Sequence, residues 1–75
     1  MAELLKFLAR RLVADPDQVR VETAEEDGAL ILRLQVAEDD MGQVIGRHGR
    51  IARALRTIVR AAGAHEGRRV MLEIG

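Results

Sequence analysis

"GQVIGRHGRI", residues 42–51, sets two glycines around an arginine and a histidine, with apolar residues at Ile45 and Ile51. Glycine is a poor helix former, yet both flanks carry helical spacing. Before the glycines, Met41, Val44 and Ile45 share one face at i, i+3 and i+4. After them, "RIARALRTIVRAAG" holds an apolar stripe as far as Gly63, its expected end. The pattern predicts a short helix, a tight turn over Gly46–Gly49 and a longer helix from Arg50. Glu38, Asp39 and Asp40 precede the short helix, where a helix dipole favours carboxylates, and Glu38 or Asp39 suits the cap. Gly42 reads as a close-packing position.

Upstream, "AELLKFLARRLVAD" (residues 2–15) places Leu4, Leu5, Leu8 and Leu12 at helical spacing. Phe7 widens that stripe and is expected in or beside the core. Lys6 and Arg10 lie off it, with Arg11 at its margin. Asp15-Pro16 ends the helix, because a residue before proline disfavours the helical region. "QVRVETA" (residues 18–24) alternates as a strand does, with Val19, Val21 and Thr23 on one face. "LILRLQV" (residues 30–36) alternates too, and Asp27-Gly28 at the tip between them makes a hairpin. "RRVMLEI" (residues 68–74) closes the chain as a third strand. The order helix, strand, strand, helix, helix, strand predicts an α+β sandwich: a three-stranded sheet covered on one face by three helices.

Seventy-five residues, 48% of them apolar, suit one domain with a thin core, expected to span 1–75. So small a core is often supplemented by a partner chain. The absence of cysteine excludes disulfides and thiolate zinc sites, and two histidines seventeen positions apart make a poor metal pair. No metal or cofactor is expected. No apolar run approaches the roughly 18 residues of a membrane span. The start has Glu3 before its leucines and lacks a basic region and cleavage site, so no signal peptide is read and a cytoplasmic location is expected.

Net charge is zero but unevenly spread. Residues 1–40 carry 5 basic and 10 acidic side chains, and residues 41–70 carry 7 basic and 1 acidic. Such asymmetry points to an anionic partner, or to attraction between the halves themselves. On a wheel of about 100° per residue, Ile51, Leu55, Ile58, Val59 and Ala62 fall between about 80° and 180° from Arg50. Arg50, Arg53, Arg56 and Arg60 fall on the opposite side, with no acid among them. A purely structural helix would mix glutamates there for i, i+4 pairs.

The turn at 46–49 has chemistry to match. The first amides of a helix lack internal partners and, with the helix dipole, suit a phosphate. Glycines without a Cβ let a sugar-phosphate backbone come close. Arg47 and Arg50 add charge, and His48 can donate a hydrogen bond. The loop is neither a P-loop nor a dinucleotide fingerprint, since Gly-Lys-Ser/Thr is absent and it joins two helices.

A bare Gly-x-x-Gly carries little information. Flanked by Val44-Ile45 and Ile51 in this element order, "VIGRHGRI" resembles the core motif of the KH domain. The order of elements resembles the type II, prokaryotic form over essentially the whole chain. The resemblance implies a module that clamps about four single-stranded nucleotides. Its RNA-binding residues would be Val44, Ile45, Gly46, Arg47, His48, Gly49, Arg50, Ile51 and Arg53, with bases against an apolar groove bounded by the second strand. It also implies a small RNA chaperone or regulator that acts as a homodimer or with a larger KhpB-like KH protein. Gln43 departs from an expected lysine and Glu38 from an expected proline.

Two other classes fit parts of the pattern. A short chain with a largely apolar third strand suits a dimerisation or protein-interaction module. Two helices around a turn also suit a helix-turn-helix DNA binder, though the first is very short. An enzyme is not expected: Cys and Ser are absent, Thr23 and Thr57 are the only threonines, and no nucleophile–base pair is visible.

Overall fold

The computed structural model describes residues 1–75. Its helices are α1 (Ala2–Arg10), α2 (Met41–Ile45) and α3 (Arg50–His65), and its strands are β1 (Arg20–Glu26), β2 (Ala29–Gln35) and β3 (Val70–Ile74). Single 3-10 turns fill Pro16–Gln18, Glu38–Asp40 and Arg47–Gly49. The α+β architecture expected from the sequence is the one observed.

The sheet has β2 at its centre, antiparallel to β1 and parallel to β3. Asp27 and Gly28 both take positive φ, 50° and 79°, the requirement of the tight hairpin turn. Pairing continues to Glu26↔Ala29, so β1 runs two residues beyond its apolar alternation. Glu25 and Glu26 belong to a charged edge strand. The parallel β2–β3 pair needs a long crossover, and α2, the turn and α3 supply it.

The core gathers Leu5 and Ala9 of α1, Val19 just before β1, Leu32 and Leu34 of β2, Leu55 and Val59 of α3, and Val70 and Leu72 of β3. α1 lies on β1 and β2, α3 lies on β3, and α2 packs chiefly against α3. On the other face of the sheet, Arg33 Nε donates to Glu73 Oε1 at 3.0 Å, and Glu22 completes that row.

Several expectations need correction. α1 stops at Arg10, well short of Pro16, and the amides of Arg11 and Leu12 make tighter bonds to Leu8 and Ala9. The next amides are taken elsewhere: Ala14 and Asp15 donate to the two carboxylate oxygens of Asp40, both at 3.1 Å. Asp40 is itself buried, so it caps the chain leaving α1 rather than its own helix. Phe7 is 56% exposed, not in the core. The inward face of α1 is centred on Leu5 and Ala9, nearly opposite Phe7 on the wheel. Ile58, expected inside, is likewise 40% exposed, because α3 buries Ala52, Leu55, Val59 and Gly63.

Gly63 does not end α3. It lies within the helix, where an added Cβ would fall 2.4 Å from Val70 Cγ2 and 2.7 Å from the Arg68 carbonyl. Its missing side chain lets the chain fold back into β3, and the Arg68 amide donates to the Gly63 carbonyl at 2.7 Å. Gly42 is exposed and an added Cβ there would meet nothing, so no packing requires it.

Candidate nucleic-acid interface

The turn begins where α2 exhausts its apolar residues. Val44 is fully buried, and the Gly46 amide closes α2 on the Gly42 carbonyl at 2.9 Å. Gly46 then takes φ 75° and ψ 171°, a region essentially reserved for glycine. Space imposes the same choice. A Cβ at Gly46 would fall 2.3 Å from Ile51 Cγ1 and 3.0 Å from the Ile51 amide nitrogen. The chain thus folds back onto the first turn of α3, using the missing side chain to do so.

Arg47–Gly49 form a single 3-10 turn, closed by the Gly49 amide donating to the Gly46 carbonyl at 3.1 Å. His48 and Gly49 are both left-handed, at φ 58° and φ 72°. For a histidine that geometry costs about 1–2 kcal/mol. It throws the side chains of Arg47 and His48 out to solvent, where both are exposed. Gly49 stands at the N-cap of α3 without a side chain, and no side chain caps the helix. The Arg50 amide donates to the Arg47 carbonyl, and no side chain takes the amides that follow it.

The residues expected at the site divide by exposure. Arg47, His48, Arg50 and Arg53 are exposed, Ile45 is 40% exposed, and Gly46, Gly49 and Ile51 are half-buried. Val44 reaches no surface and supports the turn from behind. α2 rests on α3 rather than along β2, so the immediate wall beside the turn is helical. A shallow depression continues up α3, lined by Arg50, Arg53, Ala54, Thr57 and Ile58. Ala54, Thr57 and Ile58 escaped the sequence reading. The signal was Ile58's place at the very edge of the apolar arc. Thr57 Oγ1 donates to the Arg53 carbonyl at 3.0 Å, so its methyl and the two aliphatic neighbours form the apolar border.

The electrostatics sharpen the picture. Ion pairs join Arg33 to Glu73 and Arg68 to Glu25, and no others form. Arg47, Arg50, Arg53, Arg56 and Arg60 therefore have no carboxylate within 4.0 Å. The acidic hairpin does not neutralise the α3 face. No group of three or more His, Cys, Asp or Glu side chains is placed to hold a metal ion. No helix is long and apolar enough to cross a membrane.

An αββααβ frame with a parallel β2–β3 pair and a Gly-x-x-Gly turn between its adjacent helices defines a type II KH domain. A family model described as KhpA/KhpB, KH domain, matches residues 2–74, and the chain belongs to that family. The RNA-binding protein KhpA of Clostridium acetobutylicum is 47% identical over 74 residues, 99% of each chain. Its namesake in Caldanaerobacter subterraneus subsp. tengcongensis is 49% identical over 74 residues, again 99% of each. The one in Borreliella burgdorferi is 46% identical over 72 residues, 96% of this chain and 88% of that one. Among solved structures, Aquifex aeolicus Era bound to GDP and aluminium fluoride superposes with TM-score 0.64 at 22% identity, covering 97% of this chain and 28% of Era. Era in complex with MgGDPNP and nucleotides 1506–1542 of 16S ribosomal RNA gives the same score, identity and coverage. These two likenesses concern the fold.

Proposed function

We propose that this chain binds single-stranded RNA, as a single KH domain over residues 1–75. The strand's backbone crosses Gly46–Gly49, held by the uncapped amides of α3 and by Arg47, Arg50 and Arg53. Bases rest on Ile45 and Ile51, over the support of Val44, while His48 offers a donor at the turn. The observation that carries this reading is a turn with Arg47 and His48 exposed and nothing packed over Gly49, next to five arginines that no carboxylate answers. The names of the relatives support it. In this reading the protein is a cytoplasmic RNA chaperone or regulator with no small-molecule substrate.

The test is Arg47→Asp with His48→Asp. It leaves both glycines in place, and both altered residues are exposed. Depriving one phosphate of its cation weakens binding about fivefold near 0.1 M salt, and the new carboxylates add repulsion. Unpaired RNA should bind at least about tenfold more weakly. A folded double variant with unchanged affinity refutes the reading, and preference for duplex DNA would favour a helix-turn-helix mode instead.

A second reading, compatible with the first, is self-association or pairing with a KhpB-like KH protein. Its motive is β3, an edge strand carrying Met71 at 49% exposure. Sedimentation that finds a monomer at high concentration, alone and with such a partner, counts against it.

A further inference from the structure

The chain's one Phe, Tyr or Trp residue lies on the outer face of α1, outside the core. Phe7 is 56% exposed, and Arg11 places its guanidinium carbon 5.4 Å from the ring centroid. Glu3, Lys6, Phe7, Arg10 and Arg11 together line a surface depression of ≈ 420 Å³. On the helical wheel these five share one arc of about 140°. Three cations there face one carboxylate, and none of the three has a carboxylate within 4.0 Å. The only hydrogen bond any of them makes is from Arg10 Nε to the Pro16 carbonyl at 3.4 Å.

From this arrangement we infer that the outer face of α1 is a second contact for single-stranded RNA, where an unpaired base stacks on Phe7 and flanking phosphates meet Lys6 and Arg10. The inference rests on the RNA-binding reading of the Gly46–Gly49 turn and extends it. An exposed ring among unpaired cations is the chemistry of a stacking platform: the ring accepts any base, and the cations hold the strand. A lipid surface fits poorly. Leu5 and Ala9 are buried against the sheet, and the large apolar side chains that α1 leaves exposed are Leu4 and Phe7 alone, too narrow a face to insert. The molecule measures 34 Å along its longest axis, within reach of a strand that runs past the four nucleotides of a KH groove.

The experiment compares the full chain with Phe7→Leu, which keeps an apolar side chain and removes the ring. The probes are unpaired CA-repeat RNAs of four and about twenty nucleotides. Phe7→Leu should weaken the longer RNA about tenfold and leave the tetranucleotide unchanged. Lys6→Gln with Arg10→Gln should lower the salt slope by about 1.4 for the longer RNA alone. Equal affinity of the wild type and Phe7→Leu for the longer RNA overturns the inference. So does Phe7-dependent binding to polyglutamate or phosphatidylglycerol vesicles with RNA affinity unaltered. A wild-type protein that binds neither RNA overturns the reading of the turn as well, so the two failures are distinct.

Discussion

Replacing Gly46 by alanine tests how the turn is built, because the structure sets two separate penalties on the new methyl. The backbone at φ 75° and ψ 171° lies where side chains are strained by roughly 1–3 kcal/mol. The methyl would also lie 2.3 Å from Ile51 Cγ1, 2.9 Å from Ile51 Cβ and 3.0 Å from the Ile51 amide nitrogen. Rotation of the Ile51 side chain can move Cγ1, but Cβ and the amide belong to the first turn of α3. Overpacking of this kind costs roughly 1–3 kcal/mol. Partial relaxation brings the expected loss to about 3 kcal/mol, a large share of the roughly 4–11 kcal/mol typical of a chain this size. The melting temperature should fall by roughly 12–24 °C.

Gly49→Ala is the internal control. Gly49 has φ 72°, but a Cβ there meets nothing within 4 Å, so only the left-handed strain of about 1 kcal/mol applies. Urea and thermal unfolding of both variants give the comparison. A Gly46→Ala protein as stable as Gly49→Ala would show that contact with Ile51 does not hold the turn in place. A double-mutant cycle with Ile51→Ala locates the clash: removing Cγ1 should return part of the loss, a coupling of about 1 kcal/mol.

Other substitutions probe the supports around the turn. Asp40→Ala strips the acceptors from the Ala14 and Asp15 amides and should cost about 2–3 kcal/mol in urea unfolding, while Asp40→Asn, keeping one oxygen, should cost about half as much. Equal effects of the two would mean that the charge, not the paired acceptors, matters. Gly42→Ala lies in a helix with open space around it and should stabilise the protein by up to about 1 kcal/mol; a loss of stability would show that the site is more crowded than its exposure implies.

The elements that could be read from the sequence were those where residue type fixes local geometry. Asp27-Gly28 fixed the hairpin, strand alternation fixed which face turns inward, and the glycines of the 46–49 turn fixed the break between α2 and α3. What escaped was the centre of each buried helix face. Weighting bulky residues put Phe7 and Ile58 inside. The structure buries Ala9 beside Leu5, and Ala52 and Gly63 beside Leu55 and Val59, which turns each face away from Phe7 and Ile58. Small residues mark close contact, but in a sequence they look the same as small residues facing water. Asp40 escaped for a different reason. Its partners lie 25 and 26 positions away, so no local pattern separates it from Glu38 and Asp39.

Zero net charge and a polyanionic partner are reconciled by where the acids go. Glu25 is held by Arg68, and Glu73 is held by Arg33 on the far side of the sheet. Asp40 is turned inward onto backbone amides. Each arrangement keeps a carboxylate off the surface that runs from Arg47 along α3. Exposed charges separated by more than about 8 Å are largely screened at physiological salt, so a strand held at the turn, as proposed, would respond to its neighbours more than to the total. The acids of the first forty residues offset the charge of the molecule without forming an ion pair to the arginines of the turn and α3. They would reassert themselves only at low ionic strength, where that screening length grows. Below physiological salt the gain in RNA affinity should therefore fall short of the slope set by the arginines at the turn.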